Sequence, residues 1–325
     1  MKGRIALVVA VVLAGAALYV PLPLFVISPG SAVAVEDRLT LAGQSGEVSG
    51  DLLLLTVSLT RPSAFDALAA WLDDARDVIP RDEIVPEGVD EVEFLEAQRQ
   101  LFRESGQVAA AVGLRAAGLD VGVTGRGARV AGVVPGGPSS AKLREGDVIT
   151  AVDDVAVALA SDLTPALAGR SAGDDVRLTV RRGSASLDVV VALGQVRGLD
   201  RPALGVAVET VGLDVRLPFA VDIDQGRIGG PSAGLMIALA VFDKADAGDL
   251  AAGRTIAGTG TIDIAGRVGP VGGVAQKVQA AKAAGATLLL APAGEADAAR
   301  RSAGGDLEVM EVATIDEAIR KLSSR

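Results

Sequence analysis

The chain has 325 residues, 50% of them hydrophobic, and its 31 Lys and Arg against 41 Asp and Glu give a net charge of −10. That acidity leaves no electrostatic footprint for a nucleic-acid backbone, and one Trp, one Tyr and six Phe are too few for base-stacking platforms, so no nucleic-acid partner is expected. The absence of Cys and His excludes disulfides, thiol nucleophiles, Ser-His-Asp triads and histidine metal sites, so any nucleophilic enzyme here activates Ser or Thr with Lys or a carboxylate.

The length predicts two domains. In chain order, Lys2 and Arg4 come first, followed by an uncharged run from Ile5 to Ile27. Those 23 residues are enough to cross a hydrocarbon core of about 30 Å as a helix. The run predicts a transmembrane anchor within residues 1–30, its two charges cytoplasmic and everything after Ser28 outside. A cleaved signal peptide with the small-residue site Ala32-Val33-Ala34 is the rival, disfavoured because the run exceeds an ordinary signal core. Asp51–Leu59 reads as a strand, and Ser63 and Asp66 as a capping box for a helix over Ala64–Leu72. After a loop with Pro80 and Pro86, Glu91–Ala117 reads as one long helix, or as two divided at Ser105-Gly106. Residues 31–117 are read as an N-terminal segment ahead of a change in texture.

From Gly118 the texture changes to short strands and Gly-rich turns. Leu119–Val123 and Ala128–Val134 read as strands, Leu159–Leu167 as an amphipathic helix, and Val176–Arg181 with Leu187–Leu193 as a closing strand pair. The run VVPGGPSSAKLREGDVITAVDD, Val133–Asp154, resembles that of a PDZ domain of the bacterial protease type. The resemblance covers residues 118–195. It implies a peptide groove between strand Leu119–Val123, with Leu119 and Val121, and the helix bearing Leu163 and Leu167. Gly146-Asp147 is read as a structural turn.

In the last third, Val206–Val215 and Phe219–Ile223 read as strands. Gly229-Gly230-Pro231-Ser232-Ala233-Gly234 then leads into the apolar run Leu235–Phe242, which places Ser232 in the first turn of a buried helix. Free backbone N–H groups gather there, so Ser232 is a nucleophile beside an oxyanion hole or simply a cap. Gly258–Val268 resembles a hairpin. In the helix Val271–Lys282, Lys277 falls on the stripe of Val274, Val278 and Ala281; burial there lowers its pKa toward that of a general base, unless it snorkels at the stripe edge. Asp222 and Asp224 share one strand face and read as solvated. Asp243, Asp246 and Asp249 lack the Gly and closing Glu of a calcium loop.

GPSAG, then Thr259-Gly260, then Gly272-Gly273 with Lys277 four residues after the pair, resembles the Ser-Lys proteolytic domain of Lon over residues 203–325. The resemblance implies an α+β fold closed by strand Thr287–Ala291, helix Glu295–Ser302, strand Leu307–Val312 and helix Ile315–Leu322. By the same resemblance Ser232 is the nucleophile, Lys277 the general base and Thr259 the hydroxyl that orients the lysine amine. Backbone N–H groups at Gly230 and Ala233 would hold the oxyanion. Two positions depart from the pattern: Gly229 stands where Asp is frequent, and Thr261 where Glu is. No G-x-x-x-x-G-K-[ST] phosphate loop occurs, so no nucleotide and no other cofactor is expected. Anchor, PDZ domain and Lon-like domain in that order resemble the membrane-bound, ATP-independent PDZ–Lon proteases of bacteria. That implies polypeptide substrates, and a hexameric ring of copies. The alternatives are a non-catalytic envelope scaffold whose peptidase domain is a relic, and a Ser-Lys enzyme acting on small amides.

Overall fold

A computed structural model describes residues 22–43, 49–85, 88–196, 202–246 and 249–324. The chain divides into two compact units. One is formed by residues up to Asp120 and from Leu217 onward, and the other, Val121–Arg216, is inserted between its halves.

The first unit is built on a six-stranded sheet, ordered Glu308–Val312, Leu288–Pro292, Thr255–Gly258, Asp51–Thr60, Leu24–Ala34, Asp77–Pro80. The first four strands run parallel, and the last two pairings are antiparallel. Leu52 to Leu55 are all buried, as are Leu288 to Pro292; such unbroken apolar runs belong to strands covered on both faces. The helix Gly234–Ala245 is buried from Gly234 to Asp243 and packs against the helix Glu91–Ala116. A Cβ at Gly113 would collide with the Ala238 carbonyl, so glycine is what lets these two helices approach.

Several expectations shift here. The uncharged run does not continue as helix to Ile27. Leu24–Ile27 pair with Asp77–Pro80, and Val26–Pro29 with Val57–Thr60, so its end is a sheet strand. Apolar content alone does not separate a buried strand from a membrane helix. The rest of the expected anchor, through Pro21, lies outside the described residues. Among the described residues no helix is long and apolar enough to cross a membrane. Glu91–Ala116 is one continuous helix; Gly106 is buried within it, where a Cβ would sit 3.1 Å from Ile223 Cδ1, so packing overrides the weak local break. The Ser63–Asp66 capping box is formed.

The inserted unit has a sheet ordered Ala185–Ala192, Asp175–Arg182, Val148–Val152, Ala128–Val133, Val206–Thr210, and a short pair of Gly122–Thr124 with Asp214–Arg216. Its core includes Val130, Ile149, Leu178 and Val180. Val206–Val215 therefore belongs to this unit and not to the domain expected to start at residue 203. The segment pairs with Ala128–Val133 and Gly122–Thr124, and turns at Gly212 with φ +58°. Leu119 is not in a strand. Its N–H donates to the Leu114 carbonyl and closes the Glu91–Ala116 helix, so it belongs to the first unit. Val121 and Leu163 are buried, and Leu167 packs against the core cluster that holds Leu163. The expected Leu159–Leu167 helix shortens to a 3-10 turn, Ala160–Asp162, and one turn of α-helix, Leu163–Ala166. The Asp162 carboxylate accepts from the N–H groups of Ala158 and Leu159, which caps the segment late. Gly146-Asp147 is the structural turn expected. Buried Asp147 accepts from the Arg144 N–H at 2.9 Å and from both Nε and Nη2 of Arg182 at 2.7 Å.

Candidate active site

The helix Gly234–Ala245 starts one turn later than expected. Its N-cap is Ala233, and the Gly234 N–H donates to the Pro231 carbonyl, so Ser232 lies immediately ahead of the helix, half-buried. The loop carrying it is fixed from the Glu91–Ala116 helix. The Gly230 N–H donates to the Gln98 carbonyl at 2.8 Å with φ +82°, and Ser105 Oγ donates to the Pro231 carbonyl at 3.2 Å. On its other side the loop is held by Gly260, whose N–H donates to the Ser232 carbonyl at 2.9 Å and whose carbonyl accepts from the Leu235 N–H.

These bonds correct one assignment. The Gly230 N–H is already committed to Gln98 and does not face an oxyanion. Among the described residues the N–H groups of Ser232 and Ala233 have no acceptor, so these two are the free backbone donors of the loop.

Thr259 follows the strand Thr255–Gly258 and is 2% exposed. Its Oγ1 donates to the Ser232 carbonyl at 3.2 Å and accepts from Lys277 Nζ at 3.0 Å. Lys277 sits one turn into the helix Val274–Ala283, whose N-cap Gly273 has φ +66°, where a Cβ would also press into Val57 Cγ1 at 2.8 Å. Lys277 is 3% exposed, on the buried side of its helix with Val278 and Ala281. Among the described residues no carboxylate pairs with its amine. Burial pulls its pKa down to about 8, opposed weakly by the charge of Glu295, whose oxygens accept from the Val271 N–H. Ser232, Thr259 and Lys277 thus converge through one shared hydroxyl. Through Thr259 the desolvated Lys277 amine is tied to the backbone carbonyl of Ser232, in a loop that also carries two free backbone donors; a hydroxyl, a desolvated amine and such donors are the groups that acyl transfer by a Ser-Lys pair uses.

The carboxylates raised as alternatives do not enter. Asp222 and Asp224 are exposed, and Asp224 pairs with Arg38. Asp243 is buried and accepts from the Leu250 N–H. Gln98, Ser105 and Glu295 were not anticipated. The first two act from more than 120 residues away in sequence, and no local pattern marks them.

Family comparison matches residues 220–324 to the Lon protease (S16) C-terminal proteolytic domain and residues 112–193 to a PDZ domain. Ser232, Thr259 and Lys277 all fall in the first match. The chain carries a PDZ domain and a Lon-type proteolytic domain. Among curated proteins, it is 28% identical over 203 residues to Lon protease 2 of Bacillus subtilis, an alignment covering 62% of this chain and 34% of that protein. The chain therefore spans about a third of the length of that relative. Among solved structures, the PDZ domain of an SdrC-like protein from Listeria monocytogenes is 22% identical, covering 26% of this chain and 87% of that one, with a TM-score of 0.24. The corresponding domain from Listeria innocua is 21% identical, covering 25% and 92%, also with a TM-score of 0.24. The Lon-type match begins after the PDZ insertion. The Lon-type unit nevertheless includes the earlier strands Leu24–Ala34 and Asp51–Thr60, which lie in its central sheet.

Proposed function

We propose that this chain is a serine endopeptidase of the Ser-Lys type, anchored in a membrane by the apolar run before Leu22 and working without ATP. One observation carries the chemistry: a lysine only 3% exposed, its amine paired with no carboxylate among the described residues and bonded to the hydroxyl that also holds the Ser232 carbonyl. In this reading neutral Lys277 takes the proton of Ser232 Oγ as that oxygen attacks a peptide carbonyl. The N–H groups of Ser232 and Ala233 receive the developing oxyanion. Protonated Lys277 then returns the proton to the leaving amine, and water releases the acyl group by the same path reversed. Thr259 orients the amine and does not exchange covalent bonds. The PDZ domain presents extended segments of loose or unfolded chains, in keeping with a sequence that carries no phosphate-loop motif. By the Lon resemblance the Lon-type units would form a ring of six, which a mass measurement in detergent checks.

The test is direct. A peptide boronate should form an adduct at Ser232, lost in Ser232→Ala, and unfolded polypeptides should be cleaved equally with and without ATP. Absence of both adduct and cleavage would leave the scaffold reading in its place.

A further inference from the structure

The helix Ala64–Trp71 buries only Ala70. Its large apolar side chains point outward: Phe65 is 61% exposed, Leu68 57%, Trp71 75%, and the adjoining Leu72 73%. Phe65, Leu68 and Leu72 follow the i, i+3, i+7 spacing of one face, with Trp71 beside them. A contiguous apolar face of this kind on a soluble surface marks something that covers it.

What covers it follows from where the chain enters the fold. The Leu22 N–H donates to the Pro62 carbonyl at 3.0 Å, and the next residue, Ser63, is the N-cap of this helix. The uncharged residues left for a membrane span, Ile5 to Pro21, number 17. At 1.5 Å per residue they reach about 26 Å, against a hydrocarbon core of about 30 Å. Nothing is spare for a linker, so a span over these residues draws the bilayer surface up to Leu22 and Pro62. An eight-residue helix is about 12 Å long, so its whole apolar face stays within that distance of the entry point. Trp is moreover a residue of the membrane interface.

We propose that the Ala64–Trp71 helix lies on the bilayer and seats Phe65, Leu68, Trp71 and Leu72 among the lipid headgroups, fixing how the Lon-type unit faces the membrane. This rests on the anchor reading above. The nearby charges are Arg61 and Arg76 against Asp66, Asp73 and Asp74, so the attachment is hydrophobic, independent of anionic lipid and insensitive to salt.

Trp71 is the single Trp of the chain and reports on this face alone. The full chain would be reconstituted in phosphatidylcholine vesicles, with and without lipids brominated near the headgroup. Flotation tests the anchor, and Trp71 fluorescence tests the helix. The proposal expects a blue-shifted emission and loss of most of it to the brominated lipid, unchanged by salt. Phe65→Gln, Leu68→Gln and Leu72→Gln together should restore the emission of a solvated Trp while leaving flotation and short-peptide hydrolysis intact. A chain that floats with Trp71 unquenched would overturn the proposal and leave the anchor standing. Emission that shifts with protein concentration but is untouched by brominated lipid would overturn it in favour of a contact between copies. A chain that does not float would remove the anchor and the proposal together.

Discussion

The pKa of Lys277 sets the pH dependence of the proposed reaction. With a pKa of about 8, the amine is neutral in roughly 1% of molecules at pH 6, about 9% at pH 7 and about 90% at pH 9. A solvent-exposed lysine of pKa 10.5 would be neutral in only about 0.03% at pH 7, so burial raises the competent fraction roughly 300-fold. In a pH profile of kcat/KM for a short peptide, the rate should rise about tenfold per pH unit below pH 8 and level off above it. Glu295→Gln removes the charge that holds the pKa up while keeping an acceptor for the Val271 N–H, so the limb should move to lower pH. A profile flat from acid to neutral pH, or a limb near 10.5, would refute the assignment of a desolvated lysine as base. The same shift bears on stability. The folded pKa lies below the unfolded one, so the stabilising contribution is complete above pH 10.5 and is lost as pH falls through about 8. At pH 7 the cost is on the order of 3 kcal/mol. Lys277→Met should be inactive yet more stable at pH 7 by about 2 kcal/mol, the lost bond to Thr259 offsetting part of the gain. The two effects are measured by hydrolysis and by denaturant titration of one variant.

Ser232→Ala and Lys277→Ala should each lower kcat by at least about 10³-fold, with the double variant no worse than either, because the pair acts as one unit. Thr259→Val should cost less, on the order of 10-fold to 100-fold in kcat. Excising Val121–Arg216 should spare hydrolysis of short peptides and slow that of unfolded proteins; equal loss on both would give the PDZ domain a structural role instead. Asp147→Ala leaves Arg182 and the Arg144 N–H without their buried acceptor and should destabilise the PDZ domain by about 2–4 kcal/mol in chemical denaturation. A fragment of residues 217–324 lacks the strands Leu24–Ala34 and Asp51–Thr60 and should show no cooperative unfolding transition.

Two of the three candidate side chains are legible from local pattern, Ser232 ahead of an apolar run and Lys277 on an apolar stripe, while Thr259 is marked only by the resemblance to Lon. Whether a neighbouring amide is free was not legible. Gly230 looked like an oxyanion donor, but the Gln98 carbonyl, brought in by a helix 132 residues earlier (230 − 98), occupies it. The same limit applies to strands. Val206–Val215 reads correctly as extended chain, yet its partners, Ala128–Val133 and Gly122–Thr124, place it in the other unit. Leu24–Ile27 are apolar enough for a membrane, and only their ladder with Asp77–Pro80 makes them sheet. Periodicity reports which face is buried and not what buries it.

That limit matters most for Lys277. Lys277 is desolvated because the helix Val274–Ala283 packs onto the central sheet, and part of what it packs against precedes the PDZ insertion. Its core neighbours Val278 and Ala281 share one cluster with Leu53 and Leu55, and Ala32 and Ala34 pack against it. Val57 fills the space that any side chain at Gly273 would need, and Gln276 Nε2 donates to Asp77 Oδ2 at 2.8 Å. The motif that carries the lysine therefore lies wholly within residues 220–324, while the environment that desolvates its amine is supplied in part by residues 24–77. In physical terms the insertion of the PDZ domain divides one folded unit into two stretches of chain, one holding Ser232, Thr259 and Lys277 and the other helping to keep water away from the amine.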